Sequence, residues 1–229
     1  MQYIVGIDEV GRGPLAGPVT VCVVVCEREY YQKLKRRKDL PQIGKDSKKL
    51  SPLARERYSN VLKSIKTESS PMYRTLRRTS RKMRMETSVS RTRLDTFADV
   101  GIFINFAVVN VSNKVIDKKG IVFSIQSAIN TAMLKLKIPV NSKIMLDGGL
   151  RAPKHFKNQK TIIKGDEKEK IISWASILAK VERDGLMDKM DRKFPKYNFK
   201  KNKGYGTKKH LEIIKKIGTT KIHRKTWIY

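Results

Sequence analysis

The chain is short of cysteine, of acidic residues and of long apolar runs, and each shortage excludes a class of protein. It has two cysteines in 229 residues. Cys22 and Cys26 fall on one face of a predicted strand, roughly 13 Å apart at a rise of ~3.3 Å per residue. A disulfide needs Cα atoms within about 7 Å, so the pair reads as reduced core thiols in a cytoplasmic protein. Gly13 to Cys26 carries no charge, but it is shorter than the ~18 residues of a membrane span and contains Pro14, Gly17 and Pro18. No basic stretch leading into an apolar one opens the chain, so neither a secretory leader nor a membrane partner is expected. No His/Cys cluster has zinc spacing, and no internal repeat is present. Asp and Glu number 21 against 51 Lys and Arg, a formal net charge of +30. A surface of that sign aids solubility, but phosphates are its usual partner. Composition does not separate DNA from RNA.

The length suits one domain, or one with a small appendage, able to bury roughly 70–75% of the unfolded chain's surface. Tyr3 to Ile7 reads as a buried strand, and Thr20 to Cys26 is a β-branched run that pairs with it. Tyr30 to Lys45 is charged and irregular. Ser51-Pro52 starts a helix running to about Ile65. Thr67 to about Thr92 is dense in Arg, Ser and Thr and keeps no clean period, as a basic loop would. A strand follows within Gly101 to Val111. Asp117 is expected to cap a helix with Ile121, Ile125, Ala128, Ala132 and Leu136 on one face, ended by Pro139. Lys143 to Leu146 and Lys160 to Ile163 read as short strands. A long helix spans roughly Lys168 to Phe194. Thr207 caps a last helix, with Leu211, Ile214 and Ile217 inward. Strands followed by alternating helices and strands indicate an α/β domain with a mixed sheet.

Three acidic positions stand where they could converge. Asp8-Glu9 ends the first strand, and buried adjacent carboxylates are rare unless paired or on a metal. Neighbours on a strand point to opposite faces, so both serve one site only if the strand breaks at Glu9, which Gly11 and Gly13 would allow. Asp147 ends a strand before two glycines, at the edge that α/β sheets favour for ligands, though a turn former also suits that place. Asp184 borders the buried stripe of the long helix, with Ser176 and Lys180 on its flank; an ion pair with Arg183 is its plainer reading. Carboxylates inside a basic protein are what a metal-dependent nuclease needs, cations for the backbone and acids for the metal.

Asp8-Glu9-Val10-Gly11-Arg12-Gly13-Pro14-Leu15-Ala16-Gly17-Pro18-Val19 closely resembles the signature of ribonuclease HII, the type 2 ribonuclease H family. Asp46-Ser47-Lys48-Lys49-Leu50, Asp147-Gly148, and Gly165-Asp166 with Ala175 to Val181 and Arg183-Asp184 are similar to further motifs of that family. Lys203-Gly204-Tyr205-Gly206-Thr207 with His210, and His223 to Trp227, resemble its tyrosine loop and closing segment. The resemblance covers nearly the whole chain except about residues 66–101. It implies a ribonuclease H-like fold: one catalytic domain with a mixed central sheet flanked by helices, a basic insertion at about 66–101 and a helical extension from about residue 195.

It also implies a site of Asp8, Glu9, Asp147 and Asp184 holding two Mg²⁺ or Mn²⁺ ions, since hard oxygens suit both. Gly11-Arg12-Gly13 would sense the ribose 2′-OH, and Tyr205 would pack on the neighbouring sugar. Lys48 and Lys180 are candidates for phosphate or site contacts, while His210 and His223 read as structural. The implied activity is endonucleolytic hydrolysis of RNA in RNA–DNA hybrids. It includes cleavage 5′ of single ribonucleotides in duplex DNA, leaving 3′-OH and 5′-phosphate, by a monomer. A ribonuclease HIII-like hybrid nuclease is an alternative, disfavoured by Arg12 between the glycines. A non-catalytic basic nucleic-acid-binding protein is another, disfavoured by four intact carboxylates. Ser173-Trp174 stands where the family has small alanines, so a large ring is expected near the site. Gly206 stands for a frequent proline, and Thr226-Trp227 for Ser-Phe.

Overall fold

The computed structural model describes residues 2–41, 50–68 and 104–228. Lys48 and nearly all of the basic insertion lie outside the described residues. Among the described residues the centre is a five-stranded mixed sheet of order β3-β2-β1-β4-β5. β1 (Tyr3–Val10), β2 (Val19–Glu27) and β3 (Ile104–Val111) form an antiparallel meander. β4 (Lys143–Asp147) and β5 (Gln159–Ile162) add on the other side of β1, parallel to it. Every β2 residue but Glu27 is buried, because helices cover both faces and leave no solvated side to alternate with.

The α-helices among the described residues are α1 (Arg28–Leu34), α2 (Pro52–Glu68), α3 (Asn113–Lys119), α4 (Ile121–Lys135), α5 (Gly165–Lys168), α6 (Lys170–Lys193), α7 (Phe199–Asn202) and α8 (Lys208–Ile217). Period-two alternation sorts the strands between two cores. Ile4, Cys22, Val24 and Cys26 pack with Ile171, Trp174, Ala175 and Leu178 of α6. Val5, Ile7, Val21, Val23 and Leu146 pack with Ile125, Ala128, Ile129 and Ala132 of α4. The two cysteines are buried and free. Among the described residues no helix is long and apolar enough to cross a membrane.

Several local expectations change. Tyr30 to Leu34 is not irregular: Tyr30, Tyr31 and Leu34 are the buried face of α1, a stripe hidden in the sequence by the charges around it. Asp117 does not cap α4. It lies within α3, and Gly120, at φ +82°, separates the two helices. Its carboxylate instead accepts from the backbone N–H groups of Lys225 and Thr226 at 3.1 and 3.2 Å. Nor does Pro139 end α4. Lys137 turns left-handed at φ +49° and Ile138 N–H returns to the Met133 carbonyl at 3.2 Å, a Schellman ending.

The caps at Ser51 and Thr207 form as expected, each side chain accepting from a backbone N–H three residues on, Ala54 and His210. Along α8, however, Leu211 and Ile217 are exposed, and His210 with Ile213 and Ile214 turns to the Tyr197–Phe199 cluster. Trp174 is fully buried, 5.6 Å edge-on from the Tyr31 ring, deep in the α6 core rather than at the site.

Candidate active site

β1 does not break at Glu9. Its pairing with β2 continues through Glu9↔Val21 and Val10↔Thr20. Its pairing with β4 stops at Ile7↔Leu146, so Asp8, Glu9 and Val10 overhang their parallel neighbour. With β2 on one side only and no pairing to β4 on the other, side chains from opposite faces of β1 reach the same opening. Asp147 arrives as the last residue of β4. The three carboxylates line one cavity of about 470 Å³, together with Gly11, Arg12, Gly13, Arg55, Asp166, Ser176, Lys180 and Tyr205.

Each acid is held differently. Asp8 is 5% exposed, and its Oδ1 accepts from the Glu9 N–H at 2.7 Å while Ser176 supplies a side-chain hydrogen bond. Burial first, then the charge of Glu9, and further the charge of Asp147, push its carboxyl well above the usual range. Asp147 Oδ1 accepts from the Gly165 N–H at 2.6 Å, at the start of α5. A Cβ on Gly165 would sit 3.2 Å from that oxygen and 2.7 Å from Ile172 Cδ1, so glycine permits the approach. Glu9 stands 3.8 Å from the Arg12 guanidinium.

Asp184 stands behind the rim rather than on it. Lys180 holds it at 2.8 Å and Arg55 of α2 at 3.8 Å, and these two cations face the cavity. Burial lowers the Lys180 ammonium's pKa, against the raising effect of Asp184. Sequence reading missed Arg55, which no motif marks, and Asp166, whose signal was its place beside Gly165 in the quoted motif.

The donor chemistry fits a divalent cation. Three hard carboxylates meet at a mouth where Asp8 is buried among like charges, and a cation is the natural counter-charge. Among the described residues no three His, Cys, Asp or Glu are gathered into a cage. Mg²⁺ and its analogues keep several waters and take one or two carboxylates plus phosphate, so no full cage is required.

The glycine turn sits on this mouth. Gly11 has φ +88°, and a Cβ there would meet Arg183 Nε at 2.2 Å and the Pro18 carbonyl at 2.8 Å. Among the described residues nothing lies within 4 Å of a Cβ on Gly13, so its missing side chain leaves room for a ligand there. Arg183 is fully buried and donates to the carbonyls of Pro18, Lys203 and Ala16 at 3.0, 3.0 and 3.3 Å. Leu15 and Ala16 N–H groups donate to the Gly204 carbonyl at 2.8 and 3.2 Å, binding the Tyr205 loop to the turn. Tyr205 is 40% exposed at the cavity edge, its ring 5.9 Å from the Arg183 guanidinium. His210 and His223 are buried behind it.

Three comparisons bear on this geometry. The family model described as Ribonuclease HII matches residues 5–229. A ribonuclease HII of Caldicellulosiruptor bescii is 37% identical over 97% of this chain and 85% of its own length. Among solved structures, the ribonuclease H2 of Pyrococcus horikoshii OT3 superposes with TM-score 0.63 at 24% identity, over 99% of this chain and 94% of that one. The PCNA:RNase HII complex of Archaeoglobus fulgidus gives TM-score 0.62 at 22% identity, over 98% of this chain and 95% of that one. Likeness at those identities speaks to the fold.

Proposed function

The chain belongs to the ribonuclease HII family, metal-dependent endoribonucleases acting on RNA paired to DNA, and from that premise we propose where and how it cuts. Asp8, Glu9 and Asp147, with Asp184 joining from α6, hold two divalent ions, Mg²⁺ or Mn²⁺. When bound, the ions supply an activated water and neutralise charge on the leaving 3′ oxygen. The substrates are RNA–DNA hybrids and duplex DNA carrying a single ribonucleotide, cut on its 5′ side to leave 3′-OH and 5′-phosphate. The protein acts as a monomer in the cytoplasm, in one catalytic domain.

One observation carries this reading: the overhang of β1 beyond β4 brings a buried Asp8, Glu9 and Asp147 to a mouth rimmed by the glycine turn and Tyr205. The chain's own groups divide the remaining work. The open face of Gly13 admits a sugar, and the Gly11-Arg12-Gly13 backbone meets its 2′-OH. Tyr205 packs on the next sugar. Lys180 and Arg55 hold Asp184 in place and offer positive charge to the phosphate, with Lys48 a further phosphate contact. The Ser176 hydroxyl orients the Asp8 carboxylate.

Asp147→Asn tests the site. It removes one negative charge while keeping the side chain's shape. Cleavage of a single-ribonucleotide duplex should fall below detection, with either metal, while duplex affinity stays within about twofold because phosphate contacts dominate it. Undiminished cleavage would refute the site. Comparing that duplex with a uniform hybrid, each in Mg²⁺ and Mn²⁺, tests the substrate range.

A further inference from the structure

Two adjacent residues near the C-terminus, His223 and Arg224, reach the two elements assigned above to substrate reading. The segment first docks by its backbone. Gly17 N–H donates to the Ile222 carbonyl at 2.9 Å, Arg224 N–H donates to the Leu15 carbonyl at 2.8 Å, and Ala16 and His223 form a β-bridge.

Arg224 then turns inward and is fully buried. Its Nη2 donates to the Gly11 carbonyl at 2.6 Å, Nη1 to the Arg12 carbonyl at 2.8 Å, and Nε to the Gly17 carbonyl at 3.1 Å. The first two acceptors belong to the turn, and the third lies just beyond it in the same segment. A buried guanidinium is costly unless its donors are satisfied, so this fork holds the turn in one conformation. Burial and the charge of Arg183 lower its pKa to about 10, which still leaves it charged at neutral pH.

His223 leads the other way, and elementary bookkeeping orders the protons. The Thr220 N–H lies 2.8 Å from His223 Nδ1 and can only donate, so that nitrogen is the acceptor. The Tyr205 carbonyl lies 2.8 Å from His210 Nδ1 and can only accept, so that nitrogen carries its hydrogen. A neutral imidazole has one of each. His223 Nε2 therefore donates to His210 Nε2 across 3.1 Å, and one directional chain runs from Thr220 through both rings to Tyr205. Burial lowers both imidazole pKa values, in keeping with two neutral rings.

We propose that His223–Arg224 is a single positioning unit for substrate discrimination: Arg224 sets the carbonyl side of the 2′-OH-reading turn, and the His223–His210 pair sets the backbone of Tyr205. This rests on the roles proposed above for the turn and the tyrosine. The turn and Tyr205 lie far apart in sequence, and one short segment fixes them relative to each other.

The test uses the whole protein and the ratio of kcat/KM on a single-ribonucleotide duplex to that on a uniform hybrid. His210→Phe fills the volume but loses the donor to Tyr205. His210→Asn fills less, yet its amide nitrogen can take the Nδ1 place. Positioning predicts that the Phe variant loses about tenfold in the ratio, the worth of one hydrogen bond, while the Asn variant stays within about twofold. A space-filling role predicts the opposite order, following the melting temperatures, and that order would overturn the proposal.

Arg224→Lys keeps a charge but not the fork. Its kcat should fall about tenfold on both substrates, since both present a 2′-OH, with KM within about twofold; an unchanged kcat also overturns the proposal. Should that variant not fold, the His210 pair decides alone. Tyr205→Ala separates the layers of inference. If it leaves the ratio unchanged, the role given to Tyr205 is wrong. If it collapses the ratio while His210→Phe does not, only the positioning unit fails.

Discussion

Two glycines in one turn should respond to the same substitution in opposite ways. Gly11→Ala places a Cβ at φ +88°, 2.2 Å from Arg183 Nε, 2.7 Å from its Cδ and 2.8 Å from the Pro18 carbonyl. The left-handed backbone costs about 1–2 kcal/mol with a side chain. Relieving the contact costs about 1–3 kcal/mol more. It also displaces the arginine that donates to Pro18 at 3.0 Å, and a hydrogen bond from a charged group is worth about 1.5–3 kcal/mol. These effects overlap, so a loss of about 3–5 kcal/mol is expected. In a protein of this size each kcal/mol moves the melting temperature by about 2–4 °C, which places the drop at roughly 10 °C.

Gly13→Ala meets no atom of the described residues within 4 Å and should leave stability within about 1 kcal/mol. If a sugar comes against this backbone, the added methyl should cut single-ribonucleotide cleavage about 100-fold while the melting curve stays in place. Thermal melts and a cleavage time course on both variants settle the matter. A Gly11 variant that melts with the parent would sink the packing argument. A Gly13 variant that cleaves at the parental rate would sink the assignment of the turn to the substrate.

Trp174→Ala should cost about 3–5 kcal/mol in urea unfolding, because the ring is fully buried against Tyr31. Its folded fraction should cleave within a few-fold of the parent, and a loss of activity without a loss of stability would place the ring at the site after all. His223 gives a pH dependence. Its pKa is lowered from 6.5 to about 4, by burial first and then by the neighbouring His210. Its contribution is therefore complete above about pH 6.5, where neither state is protonated. It declines as pH falls toward 4, because the unfolded chain takes a proton that the folded one refuses. The loss is on the order of 3 kcal/mol across that window. Urea midpoints of the parent and of His223→Gln measure it, and equal slopes against pH would refute it.

The elements and most candidate residues were legible in the chain because they depend on near neighbours. The β-branched run of β2, the caps at Ser51 and Thr207, the long helix and the glycine turn each follow from backbone preference or from a period read over a few residues. The placing of acids at strand ends belongs to the same level. What the sequence could not decide were relations between distant segments. Asp8 and Glu9 share a mouth because the pairing of β1 with β4 stops at Ile7↔Leu146, not because β1 breaks, and register is a property of pairing.

Asp184 takes its second cation from Arg55 on α2 rather than from its neighbour Arg183, which the helix turns inward to backbone carbonyls. Arg183 and Arg224 are two among 51 basic residues in sequence, and nothing local marks them as buried. Their partners are main-chain oxygens, which every residue carries, so only the folded path of the chain selects which ones they meet. The same holds for His210 and His223: each looks structural alone, and their chain to Tyr205 exists only once α8 and the closing segment pack together. Local chemistry thus determined the strands, the helices and the acids. Tertiary packing decided which of them meet, because hydrogen-bond partners and strand register are set by contacts across the whole chain.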